Sequence, residues 1–248
     1  LEIKSQFLST VSHELRTPLT SIKGTLDLVN SGVMGPVPDQ MQPILTIAAK
    51  NSKHLADLIN DLLDLQKIEA GEMAFRFNLL NVRDLVDDSV TMSKGYADQM
   101  DVTLSVTHAD EEIYINGDAG RLSQVMANLI SNASKFSHKG GTVDISVKRL
   151  GDHVRIYVKD KGVGIPENAK ERVFGRFSQV DSSDQRRVGG TGLGMNISKK
   201  IIEKHDGQID YESTLGHGTT FFIEFEIVPH VPTTMASEMA DGRRRKLA

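Results

Sequence analysis

The sequence predicts a multi-domain chain: an all-α helical hairpin, completed by a second copy into a dimeric four-helix bundle, followed by an α+β sandwich. Three observations predict it. Apolar residues repeat every seven positions through roughly the first 70 residues. A run of helix breakers, Ser31 to Pro38, divides that region in two. From about residue 76 strand and helix patterns mix without strict alternation.

In the first helix Leu8, Leu15, Ile22 and Val29 recur every seven residues, and Leu19 and Leu26 fill the alternate seam. Asp39 is placed to cap the second helix, where Ala48, Leu55 and Leu62 keep the period, with Leu58 and Leu65 between them. Ile44, Ile59 and Leu63 widen that stripe, and Gly71 ends it. One hairpin cannot enclose stripes this wide, so the economical solution is a bundle made from two chains. Packing against the rest of the same chain is the competing arrangement.

Further on, Val82 to Met100 reads as a helix and residues 102–106 as a strand. Asp118 to Phe136 is a strong amphipathic helix. Residues 143–147 and 154–158 alternate as strands around a Gly151-Asp152 turn. A helix follows Gly192, and strands near 208–213 and 219–227 close the unit. The expected domains are 1–73 and 76–228, with a polar, disordered tail over 229–248.

Bulk composition narrows the function classes. The 248 residues carry a net charge of -4, which gives no support for non-specific nucleic-acid binding. The one basic run, Arg243 to Lys246, reads as solvated tail. There is no cysteine, hence no disulfide and no thiolate metal site. No apolar run approaches the ~20 residues that span a bilayer. The expectation is a cytoplasmic fragment with no membrane contact of its own, any tether lying upstream of Leu1.

Four stretches carry chemistry. The first is STVSHELRTPLTSIKG, Ser9 to Gly24. Pro18 follows His13 by five residues and removes the donor to the Glu14 carbonyl, at a cost of roughly 3 kcal/mol. Either a surface histidine sits beside a tolerated kink, or the helix is loosened next to a reactive imidazole. In the second, Arg121, Gln124, Asn128, Asn132 and Lys135 line one face of a helix whose other face is apolar. Asparagine is a poor helix-interior residue. Its amide oxygen is a neutral, hard ligand for a Mg²⁺ arriving with phosphates, and Lys135 can meet phosphate charge. A wet surface would carry the same residues.

The third stretch, Asp160 to Pro166, follows a strand. Its glycines let the backbone turn sharply or approach a ligand, and Asp160 can accept from an amino group. A plain loop explains it as well. The fourth, Gly189-Gly190-Thr191-Gly192-Leu193-Gly194, opens onto a helix N-terminus, where freed amides bind anions. It is neither the Rossmann fingerprint nor a P-loop, because the third glycine and the Lys-Ser/Thr pair are missing. Between the last two lies a polar stretch, Ser178 to Val188, that reads as a mobile flap or a floppy loop.

Each motif alone is weak to moderate; their order is far more specific. RLSQVMANLISNASKFS, DKGVGIP, ERVFGRFSQVD and GGTGLGMNISK resemble the N, G1, F and G2 boxes of the sensor histidine kinases, and FLSTVSHELRTPLTSIKG resembles their H box. The resemblance spans about residues 4 to 227. Its only mild departure is Met195, where the family often has leucine. It implies a Bergerat-type ATP-binding sandwich using ATP and Mg²⁺. Asn132 would chelate the metal, and Asn128 and Lys135 would serve the phosphates. Asp160 would recognise the adenine amino group. Gly162, Gly164, Gly190, Thr191, Gly192, Leu193 and Gly194 would shape pocket and lid. Phe174 and Phe177 would anchor the lid, and Arg186 and Arg187 would touch phosphate.

The same resemblance makes His13 the phospho-acceptor, needing a neutral ring nitrogen for in-line attack. Glu14 would accept the other ring N–H or act as base. Thr17, one turn on, would position the water that hydrolyses the phosphorylated partner, and Pro18 would let the helix bend. The implied partners are a second copy of the chain and the aspartate of a response-regulator receiver domain. Competing readings are a chaperone- or mismatch-repair-type ATPase, an anti-sigma-type serine kinase, and a degenerate dimeric scaffold. The hairpin bearing His-Glu-x-x-Thr-Pro argues against the first two, and the full set Asn128, Asn132, Asp160, Gly192 and Gly194 against the third.

Overall fold

The computed structural model describes residues 2–33, 35–177 and 190–229. Helix α1 (Glu2–Asn30) and helix α2 (Gln42–Ala70) form the expected hairpin. α1 runs through Pro18, so the Glu14 carbonyl loses its helical donor there. Asp39 does not cap α2. The N-cap is Met41, without a side-chain hydrogen bond, because Pro43 takes the first helical turn, where a missing N–H is tolerated. Gly71 closes α2 with φ +73°, its amide reaching the carbonyls of Lys67 and Ile68. Among the described residues, Leu19, Ile59 and Leu63, with Ala56 beside them, form a small buried cluster between the helices.

The remainder is strand β1 (Asn78–Asn81), α3 (Val82–Gln99), β2 (Val102–Thr107), β3 (Tyr114–Gly117), α4 (Ala119–Phe136), β4 (Gly141–Leu150), β5 (His153–Lys159), a 3-10 turn (Glu167–Arg172), α5 (Gly194–Lys204), β6 (Gln208–Thr214) and β7 (Gly218–Glu226). The main sheet has the order β2-β4-β5-β7-β6, with β2 and β4 parallel and the other pairs antiparallel. It is the mixed sheet expected. The two-stranded β1–β3 sheet is an addition that local sequence pattern does not announce.

Alternation places Val143, Ile145 and Val147 of β4 and Val154, Ile156 and Val158 of β5 on one buried face. They share a core with Leu122, Val125, Met126, Leu129 and Ile130 of α4 and Ile197, Ile201 and Ile202 of α5. Each fully buried aliphatic side chain contributes about 1.5–3 kcal/mol. On the opposite face Arg155 pairs with Glu224 at 2.6 Å and its guanidinium lies 4.4 Å from the Phe222 ring. The sheet is therefore a two-layer arrangement whose helical side carries the site. Leu65 and Ile68 of α2 also enter this core, which docks the end of the hairpin on the sandwich. No described helix is long and apolar enough to cross a membrane.

Candidate nucleotide site

α4 starts with Asp118 as N-cap, whose carboxylate accepts from the amides of Arg121 at 3.1 Å and Arg76 at 2.7 Å. That fixes the helix whose apolar side is buried against the sheet. Asn128, Asn132 and Lys135, at spacings of four and three, share its other side. Asn128 Nδ2 donates to Ser198 Oγ of α5 at 2.9 Å, and Asn132 Nδ2 donates to Asn128 Oδ1 at 3.3 Å. Both amide nitrogens lie 3.4 Å from the sulfur of Met195. Burial pushes the Lys135 ammonium pKa down, and its Nζ lies 4.8 Å from the Phe136 ring.

Two glycines are required by close approach. A Cβ at Gly194 would lie 2.7 Å from Asn128 Oδ1, so only glycine lets the first turn of α5 reach α4. A Cβ at Gly162 would collide with the Phe136 carbonyl oxygen, so glycine there lets the loop after β5 close onto the end of α4. Gly164 and Gly192 carry φ values of +69° and +72°. Gly190 sits over Lys135, a Cβ there falling 3.2 Å from Nζ.

Asp160, at the end of β5, is buried. One oxygen, Oδ1, accepts from the amides of Gly162 at 2.9 Å and Thr219 at 3.2 Å. Burial raises its pKa, and those two amides oppose the rise. With both of these donors on Oδ1, Oδ2 accepts from no other described residue and is open to a ligand donor.

The N-terminus of α5 has no side-chain cap, so its amides are available to an anion. Thr191 Oγ1 accepts from Leu193 N–H at 3.2 Å and donates to Asp61 of α2 at 2.6 Å. Asp61 is held above the usual carboxylate range by burial, against the Thr191 hydrogen bond. Asp64 accepts from Gln124 at 2.9 Å, and Glu69 pairs with Arg176. Of the two phenylalanines expected at the lid, Phe174 packs on the core 6.0 Å from the Tyr211 ring, and its carbonyl accepts from Asn196. Phe177 is 64% exposed with φ +53°. Arg186 and Arg187 lie outside the described residues.

The structure thus gathers Asn128, Asn132, Lys135, Gly190 and Gly194 at the α4–α5 junction, with Asp160 and Gly162 at the far end of α4. His13, Glu14 and Thr17 stand apart on α1, where Glu14 and Thr17 are exposed. Ser198, Met195 as an amide partner, and the carboxylates of α2 are members that motif reading missed. Ser198 had a faint signal: a hydroxyl beside Ile197 on the apolar side of α5.

A one-sided sheet with amides, glycines and a buried carboxylate gathered above α4 is a nucleotide-binding arrangement. Residues 117–229 match the family described as histidine kinase-, DNA gyrase B-, and HSP90-like ATPase, and residues 3–71 that described as His Kinase A (phospho-acceptor) domain. The chain is 37% identical over 222 residues to the circadian input-output histidine kinase CikA of Synechococcus elongatus, covering 89% of this chain and 29% of CikA. It is 38% identical over 231 residues to the sensor protein GacS of Pseudomonas syringae pv. syringae, covering 91% of this chain and 25% of GacS. Among solved structures, full-length ShkA in complex with AMPPNP superposes with a TM-score of 0.75 at 26% identity, over 91% of this chain and 46% of that one. The Acinetobacter baumannii histidine kinase AdeS gives 0.60 at 25% identity, over 88% and 98%. The chain belongs to the sensor histidine kinases and carries their transmitter core. It spans between a quarter and a third of the length of CikA and GacS.

Proposed function

We propose that this chain binds ATP with Mg²⁺ in the α4–α5 site, transfers the γ-phosphoryl group to His13, and passes it to an aspartate of a separate response regulator. The observation that carries this reading is the joint placement of Asn128, Asn132, Lys135 and the glycine-rich α5 terminus around one space, with Asp160 left one open oxygen. Asp160 Oδ2 accepts the adenine amino group, and the ShkA structure to which this chain is similar, solved in complex with AMPPNP, supports a nucleotide at this site. Lys135 and the α5 amides take phosphate oxygens.

The metal fits the donor set. Asn132 spends its Nδ2 on Asn128 and Met195, which leaves Oδ1, a neutral hard oxygen of the kind Mg²⁺ takes beside phosphates. When bound, the ion neutralises phosphate charge. In the transfer, a ring nitrogen of His13 forms the N–P bond as the bond from phosphorus to the ADP oxygen breaks, and Glu14 holds or removes the other ring proton. Thr17 serves a separate hydrolysis, orienting water toward the phosphorylated aspartate of the regulator so that the aspartyl–phosphate bond breaks and inorganic phosphate leaves. The exposed stripes of α1 and α2 pair with a second copy to complete a four-helix bundle.

Asn132→Ala tests the nucleotide half of this reading. Mg²⁺-dependent binding of a fluorescent ATP analogue should be lost while sedimentation still reports a dimer. Unchanged affinity in magnesium buffer would remove Asn132 from the site.

A further inference from the structure

Met195 stands where the resembled family often carries leucine, and by sequence it is only an apolar filler. The structure surrounds its sulfur with donors. Sδ lies 3.4 Å from Nδ2 of Asn128 and 3.4 Å from Nδ2 of Asn132. A thioether sulfur is a weak acceptor and never a donor.

That asymmetry matters because an asparagine amide is nearly the same shape either way round, so steric fit alone does not choose which end points inward. The sulfur chooses. An N–H turned toward it meets a lone pair, whereas a carbonyl oxygen turned toward it sets lone pair against lone pair. Ser198 cannot make the choice for Asn128, because a hydroxyl both donates and accepts. Once Asn128 has its Nδ2 inward, its Oδ1 accepts from Asn132 Nδ2 at 3.3 Å, and both amides are fixed in one sense. Asn132 Oδ1 is then without a hydrogen bond among the described residues, since the sulfur and Asn128 both take the Nδ2 end of the amide. Leucine fills much the same volume but has no lone pair to offer.

We infer that Met195 is a positioning residue: it locks the amide of Asn132 with its oxygen outward, raising the affinity of the nucleotide site for Mg²⁺. This rests on the nucleotide reading above and adds to it a residue that touches neither metal nor phosphate.

The test is Met195→Leu in the full chain, with a fluorescent ATP analogue as probe. Magnesium is titrated at fixed analogue, and analogue affinity is also measured in excess EDTA. The half-saturating Mg²⁺ concentration should rise about three- to tenfold, the scale of one modest hydrogen bond, with affinity in EDTA unchanged. Met195→Gln, whose side-chain amide both donates and accepts as the Ser198 hydroxyl does, should recover little of the loss. Asn132→Ala should abolish the magnesium dependence in either background. An unchanged half-saturating concentration in Met195→Leu overturns the inference. So does an equal loss with and without magnesium, which assigns Met195 to packing. If the wild-type chain binds the analogue with no magnesium dependence, the site reading itself is wrong and the inference falls with it.

Discussion

In the hairpin, Leu15, Ile22 and Leu55 are 48%, 52% and 49% exposed, whereas in the sandwich Val125, Ile156 and Ile223 are sealed from water. The same kinds of side chain have opposite fates. The sandwich encloses its core within one chain, because the sheet offers a whole face and α4 and α5 cover it. Among the described residues, two helices side by side fully bury only a narrow seam between themselves, here Leu19, Ile59 and Leu63, and leave Leu15, Ile22 and Leu55 open. α2 belongs to both regimes. Its first half carries exposed Ile44 and Ile47, and its last turns put Leu65 and Ile68 into the sandwich core while Asp61 reaches Thr191 of the glycine-rich loop. One helix therefore connects the open stripe of the hairpin with the loop that frames the candidate nucleotide site.

Two paired substitutions sharpen this contrast most. Ile156→Ala removes a fully buried side chain between β4 and β7 and should cost about 3–4 kcal/mol in urea unfolding of the intact chain. Ile22→Glu, on the open stripe of α1, should convert a dimer to a monomer by sedimentation and make the wild type's protein-concentration dependence of unfolding disappear. A monomeric wild-type chain would break the comparison, since the open stripes would then have no second copy to cover them.

A smaller effect concerns His205, at the end of α5. Its Nε2 accepts the Asp118 N–H at 3.0 Å, and Nδ1 donates to the Ile201 carbonyl at 2.8 Å, so the ring is held neutral. Phe75 and Phe77 lie against it, with ring centroids 5.6 and 4.9 Å away. Burial lowers its pKa below the ordinary imidazole value. The unfolded chain then takes up a proton at higher pH than the folded one. The His205 contribution is complete above the unfolded pKa of about 6.5 and is lost as pH falls from there through the lower folded value. Stability should therefore drop between pH 7.5 and 5.5, and drop less in His205→Gln. Equal pH slopes in the two chains would contradict the assignment.

How much of this was legible beforehand depended on range. The seven-residue repeat, the alternation over residues 143–147 and 154–158, the one-face spacing of Asn128, Asn132 and Lys135, and the glycines of the α5 entrance are local patterns, and the hairpin and mixed sheet follow from the first two. The β1–β3 pair was not legible, because Asn78–Asn81 and Tyr114–Gly117 are four residues each and find each other across more than thirty positions. The Asp39 cap failed because Pro43, four residues on, dictates where the helix can begin. Met195 and Ser198 looked like helix filler because their partners lie on α4, some sixty to seventy residues away, and no local pattern records that contact.

The most direct test of the account is the chemistry of the phosphorylated product. Incubation of the intact chain with γ-labelled ATP and magnesium should attach label that is lost in acid and kept in base, the behaviour of a phosphoramidate. His13→Ala should take up no label while still binding the ATP analogue. Label that survives acid, or that persists in His13→Ala, would contradict a histidine kinase acting through His13.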